Sequence, residues 1–169
     1  MELNVDKKIE FKDKLNSFYS ENKLKIYIVI FIVISSVISI NLFNINKEKK
    51  NELIAEKYIQ AGLLSSSKSQ EKSKKIYEEI ILSENNFYSI LSLNTILEEN
   101  LIIDKNKILE YFSIVEKLTK SNDQLDLLFF KKALFLIKNQ EITEGKAILE
   151  KLINKESKYK FLAEEVLEK

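Results

Sequence analysis

The chain has 169 residues, a formal net charge of +1 and no His, Cys, Pro or Trp, and all 27 of its basic residues are lysine. Without Cys or His there is no thiolate nucleophile, imidazole base or zinc-ribbon ligand set, and the two glycines, Gly62 and Gly145, cannot write a phosphate-binding loop. The length fits one domain of ordinary size, and the near-balanced charge argues against a nucleic-acid partner, which normally needs a basic face.

The first segment, residues 1–25, is a short charged tail in which Phe11, Leu15 and Phe18 fall at i, i+4 and i+7. A helix there would present one apolar face among lysines, as a helix lying on lipid headgroups does. The next segment, Ile26 to Asn46, runs 21 residues without a charge. At about 1.5 Å per residue it reaches roughly 32 Å, enough for a hydrocarbon layer of about 30 Å. Its thirteen Ile, Val, Phe and Leu side chains between Ile26 and Phe43 sum to on the order of −4 to −8 kcal/mol of insertion free energy. Ser35, Ser36, Ser39 and Asn41 take back part of that, and the serines can bond to the preceding turn. A cleavable signal peptide fits poorly, because the tail is long, the apolar run exceeds the usual 7 to 15 residues and no pair of small residues follows it. The segment is therefore predicted to be a transmembrane helix acting as a signal anchor.

Lysines set the expected orientation. Six precede the span (Lys7, Lys8, Lys12, Lys14, Lys23, Lys25) and four follow closely (Lys47, Lys49, Lys50, Lys57), which places the N-terminus in the cytoplasm and residues 47–169 on the outer side, the periplasm of a double-membraned bacterium.

From Lys47 onward apolar residues recur at helical spacing and no strand-like alternation is sustained. The first helix covers about 47 to 64, and the serine-rich stretch Ser65 to Gln70 is a loop. A second helix holds Ile76, Tyr77, Ile80 and Ile81 and ends at Glu84, Asn85 and Asn86; a third runs from Phe87 to about Asn100. A fourth opens at Asp104, a good N-cap, and ends at Ser121 and Asn122. The fifth covers Asp123 to Lys138, the sixth opens near Thr143 with Glu144 in its first turn, and the last spans about Ser157 to Lys169. Seven helices of similar length with short turns predict an all-α array of antiparallel helical hairpins.

Spacing tests the repeat. Two helices of a tetratricopeptide hairpin touch through small residues about twelve apart, and Ala61 with Ser73 and Ala133 with Gly145 are such pairs, 72 residues from one to the other. That is two units of 36 residues, near the 34 of the tetratricopeptide period. The unit between them has Ser92 or Thr95 on one side but Lys107 and Ile108 on the other, so its hairpin is expected to be looser or differently angled.

The stretch from Ala133 to Ile153, ALFLIKNQEITEGKAILEKLI, resembles a tetratricopeptide hairpin, with Ala133, Gly145, Leu149 and Leu152 at motif positions and Asn139 where a turn glycine is common. The whole layout, in order the tail from Asp6 to Lys23, the span, then AEKYIQAGLL (Ala55 to Leu64), KSKKIYEEI (Lys72 to Ile80) and NNFYSILSLNTIL (Asn85 to Leu97), is similar to the ancillary SecYEG translocon subunit family of bacterial inner-membrane proteins. The chain departs from that family in lacking Arg and Pro and in carrying Ser73 and Thr95 at small-residue positions. The resemblance implies a periplasmic tetratricopeptide-like domain, residues 47–169, on a single anchor, residues 26–46. It also implies association with the translocon channel and action with periplasmic chaperones on newly exported proteins.

The residues themselves give no catalytic set. Adjacent glutamates such as Glu78 and Glu79, Glu98 and Glu99, or Glu164 and Glu165 point about 100° apart on a helix and read as solvated faces; the lysine runs around Lys72 to Lys75 and at Lys131 and Lys132 read likewise. No enzyme activity, cofactor, metal or small-molecule substrate is expected. A stacked array leaves a concave surface lined by the first helix of each pair, and Tyr58, Tyr88 and Phe129 are the aromatics on those helices, candidates for a partner-binding groove if they are not core. A structural scaffold subunit of another cell-envelope complex, in outer-membrane assembly or cell division, is the alternative reading.

Overall fold

A computed structural model describes residues 3–67 and 69–168, and the side chains of Lys14, residues 17–67 and residues 69–168. The described residues form seven helices and no strand: α1 (Leu3–Ser66), α2 (Gln70–Leu82), α3 (Tyr88–Glu98), α4 (Lys105–Leu118), α5 (Asn122–Lys138), α6 (Ile142–Asn154) and α7 (Lys160–Leu167). The tail, the apolar run and the first expected soluble helix thus share one element, interrupted only by non-helical backbone at Asn22 (φ −113°, ψ 15°). Contacts divide the chain after Lys50 into two units, residues 1–50 and 51–169, four residues past the boundary read from the sequence.

In the first unit, Asn22 turns its side-chain amide back to the Phe18 carbonyl at 3.1 Å, the local competition with helix bonding that asparagine favours. The Tyr19 and Tyr27 hydroxyls meet across this break at 2.9 Å. Phe18 is 62 % exposed, while the Phe11 and Leu15 side chains of the expected apolar face lie outside the described residues. Among the described residues one helix is long and apolar enough to cross a membrane, with a mean hydropathy of 2.6 in its richest window. Two of its serines bond to the preceding turn as expected, Ser36 donating to the Ile32 carbonyl and Ser39 to that of Ser35, and Asn41 donates likewise to the Val37 carbonyl, at 2.8 to 3.0 Å.

In the second unit, the expected close approaches are built. Ala61 and Ser73 are fully buried, and the Ser73 hydroxyl donates to the Ala61 carbonyl at 2.8 Å, fastening α2 to the end of α1. Ala133 and Gly145 are likewise buried, and a Cβ added to Gly145 would lie 2.9 Å from the Ala133 carbonyl oxygen and 2.5 Å from Ile137 Cγ1. Only glycine lets α6 approach α5 this closely. Helices α3 and α4 touch much less extensively than α5 and α6, and α4 also packs on α2. At the α4 crossing Ile108 is buried, whereas Lys107 reaches Glu78 of α2 at 2.6 Å. The core falls in two clusters, one from Ile54 through Tyr77, Ile96 and Phe112 to Leu128, the other around Ala133, Leu149, Leu152 and Ala163.

Helix ends explain where the boundaries moved. Asp104 caps α4 as expected, accepting from the backbone N–H of Asn106 at 2.9 Å and of Lys107 at 3.3 Å. The serine-rich loop is shorter than expected because Ser66 and Ser67 donate back to the carbonyls of Gly62 and Leu64, extending α1. Asn85 serves α3 by accepting from the N–H of Phe87 and Tyr88. Four turns use left-handed backbone without glycine, at Glu84 (φ 55°), Asn100 (φ 49°), Gln140 (φ 67°) and Glu156 (φ 53°). The position that favours glycine in the α5–α6 turn is therefore Gln140, one residue after Asn139, whose φ is −97°.

A second regularity joins helices that are not neighbours in sequence. Side-chain bonds recur at separations of 34 to 38 residues: Asn51 with Asn85, Tyr58 with Thr95, Ser65 with Glu99, Lys131 with Asn94, Lys138 with Asn100, Lys105 with Glu141 and Lys158 with Asp123. These separations bracket the 36-residue unit read from the small-residue pairs.

Candidate functional site

Of the three aromatics expected on the first helices, two are brought together. Tyr58 on α1 and Tyr88 on α3 are half-buried, with ring centroids 5.7 Å apart, and Tyr58 also stands edge-on to the buried Tyr77 at 5.5 Å. The Tyr58 hydroxyl shares a 3.2 Å hydrogen bond with Thr95. Burial, reinforced by the Tyr58 hydroxyl and the Glu99 carboxylate, pushes the Tyr77 hydroxyl above the usual phenol range. The Tyr58 and Tyr88 rings also pack against the first core cluster.

Phe129 on α5 sits apart, packed against the second core cluster and bordering a hollow of about 390 Å³ with Lys132, Ile148, Lys151 and Lys155. Its neighbour Phe130 stacks on Tyr159 at 5.8 Å, so the adjacent rings serve different contacts of the same cluster.

The acidic pairs and lysine runs are more structural than their spacing foretold. Glu78 is largely shielded and forms an ion pair with Lys107, a contact that holds the ammonium group above its ordinary pKa. Glu79 pairs with Lys57 at 2.8 Å, Lys132 with Glu116 at 3.8 Å, and the buried Asp126 with Lys155. Residues read as solvated faces thus tie one helix to another, a role that i, i+1 spacing cannot reveal because their partners stand tens of residues away.

An apolar concavity lies elsewhere, between the C-terminal halves of α3 and α5. It encloses about 410 Å³. Ile96 and Ile108 form buried floor, Leu97 and Ile102 stand beside them, and α5 contributes Leu134 and Phe135. Ile103, in the connection before α4, is 97 % exposed at the edge, and Leu134 is 38 % exposed. Lys131 and Lys138 border the groove, their ammonium groups donating to Asn94 at 2.8 Å and Asn100 at 2.9 Å. No family model, curated protein or solved structure matches the chain. The groove's chemistry must therefore be read from its own residues.

Aliphatic walls with a rim of fixed ammonium groups, neutral amides and the Glu98 carboxylate are chemically suited to cover an apolar segment with charged flanks. The aromatic pattern of the sequence does not point to this concavity. A signal was available in Ile102 and Ile103, two large apolar residues in a connection just before a helix cap, where solvated turn residues are the norm.

Proposed function

We propose that the protein is a membrane-tethered protein–protein interaction module, held in a bacterial inner membrane by the apolar part of α1. Its helical domain is periplasmic and tetratricopeptide-like, and it serves as an accessory translocon subunit that helps periplasmic chaperones receive newly exported proteins. The observation that carries the reading is the apolar groove between α3 and α5, an exposed concavity on two helices of the first-in-pair class. Supporting it are the small-residue crossings at Ala61–Ser73 and Ala133–Gly145, the side-chain bonds recurring near 36 residues, and the candidate span. Anchoring raises the local concentration of a weak binding surface at its partner, so modest contacts suffice.

Site-specific photo-crosslinking in intact membranes tests this. Probes replacing Leu134 and Ile103 are expected to recover the translocon channel, chaperones and varied incompletely folded clients; probes at Tyr58, Tyr88 and Phe129 ask whether the binding surface extends along the first helices. Recovery of one stoichiometric folded partner of another envelope complex would overturn the translocon reading in favour of a scaffold. Protease added outside spheroplasts is expected to digest the chain beyond Lys47, and protection there would reject the orientation.

A further inference from the structure

Lys131, Leu134, Phe135 and Lys138 fall at i, i+3, i+4 and i+7 on α5, one face of one helix. The two lysines therefore stand about 10.5 Å apart along the helix axis, with the groove's apolar wall between them. Their surroundings differ from those of the domain's other bridging lysines. Lys57, Lys105, Lys107, Lys155 and Lys158 each pair with a carboxylate across helices. Lys138 instead donates to the neutral side-chain oxygen of Asn100, and among the described residues it has no carboxylate partner. Lys131 donates to the Asn94 oxygen and also stands 3.8 Å from Glu98, a mostly exposed carboxylate that lines the same groove. An amide fixes an ammonium group in place without cancelling its charge, so the groove is flanked by a positioned cation at Lys138 and a second, only loosely paired one at Lys131.

Resting on the reading of this groove as a protein-binding surface, we propose that its occupant is an amphipathic helical segment of a partner protein. That segment carries two carboxylates two turns apart, with large apolar residues between them. The apolar residues cover Leu134, Phe135 and the exposed Ile103, and the carboxylates meet Lys131 and Lys138. This is helix-in-groove recognition with anchors at i, i+3, i+4 and i+7, and the charges set register and direction more than affinity. The two cations exclude segments flanked by lysine, which confers selectivity by repulsion as well as attraction.

The test uses the full chain in nanodiscs and labelled synthetic helical peptides with Leu and Phe at the central positions, flanked seven residues apart by Glu, Gln or Lys. Fluorescence anisotropy is expected to rank Glu over Gln by about three- to tenfold and Gln over Lys, with the Glu preference shrinking as salt rises. Lys138→Gln and Lys131→Gln lie at the rim and are expected to keep the helical circular dichroism of the parent while each reduces the Glu preference. Leu134→Ala is expected to weaken all three peptides together. Equal binding of the Glu and Gln peptides, or a preference that survives both lysine substitutions, overturns the proposal. Crosslinking from Leu134 in membranes separates the two levels: recovered protein partners with no charge preference leave the groove a binding surface and sink the charge rule, whereas neither crosslinks nor peptide binding sinks both. Concentration-dependent self-association lost in Leu134→Ala, without peptide binding, would assign the groove to a second copy of the chain and also overturns the proposal.

Discussion

Helices α5 and α6 meet through Ala133 and Gly145, whereas α3 and α4 carry Ser92 and Thr95 on one side and Lys107 and Ile108 on the other. The first pair closes until the backbone of one helix nearly touches the other; the second touches less extensively, and α4 leans partly on α2. A side chain at the crossing sets how near two axes come. What the middle pair loses in closeness it turns into an opening, because the groove of about 410 Å³ lies where α3, its connection to α4 and α5 fail to fill the space. The groove thus borders the less closely packed of the two pairs.

That contrast can be broken most forcefully at Ile108. If bulk at the α4 crossing supports the fold, Ile108→Ala leaves a cavity and costs about 2–5 kcal/mol, read by urea unfolding of the full chain in mild detergent through its tyrosine fluorescence. A gain in stability would mean that α4 was held off by the side chain and closes when it is removed. At the tight pair, Gly145→Ala is expected to cost about 1–3 kcal/mol, because the new methyl meets the Ala133 carbonyl oxygen as well as the movable Ile137 side chain; unchanged stability would show that α6 can shift without loss. Gln140→Gly should raise the melting midpoint, worth about 0.5–1 kcal/mol, since glycine relieves the left-handed backbone of that turn, while Asn139→Gly should not. Smallest is Gly62→Ala. A methyl there meets nothing nearer than the Tyr77 hydroxyl at 3.7 Å, so the gain expected from helix propensity is about 0.5–1 kcal/mol, and a loss would place α1 closer to α2 than Gly62 requires.

The two glycines also mark how far residue identity carries an argument. At Gly145 spacing from Ala133 anticipated a close approach, and the structure supplies it. Gly62 has an equally small neighbour in Ala61, and it is Ala61 that meets Ser73. The turn glycine expected at Asn139 belongs one residue later, because helix α5 ends through a bond from the Glu141 N–H to the Leu136 carbonyl that places Gln140 in the left-handed region. Candidate binding aromatics were read by type, and type does not show contacts: Tyr58 packs against both Tyr88 and Tyr77. The groove was invisible for the same reason, since it is a gap between α3 and α5, made by residues some 35 positions apart.

By itself the sequence determined what depends on neighbours within about a turn or two. It fixed the apolar run and its length, the helical periodicity, the Asp104 cap, the serines bonding back within the span, and the small residues that permit close crossings. Tertiary structure decided what depends on distant partners: which carboxylates bridge helices, which aromatics are covered, where the connection before α4 leaves Ile103 standing in solvent, and that Lys138 rests on an amide while Lys131 lies between an amide and Glu98. Local geometry follows from backbone bonding that the chain carries with it, while a groove and its charge exist only once separate helices have packed and left space between them.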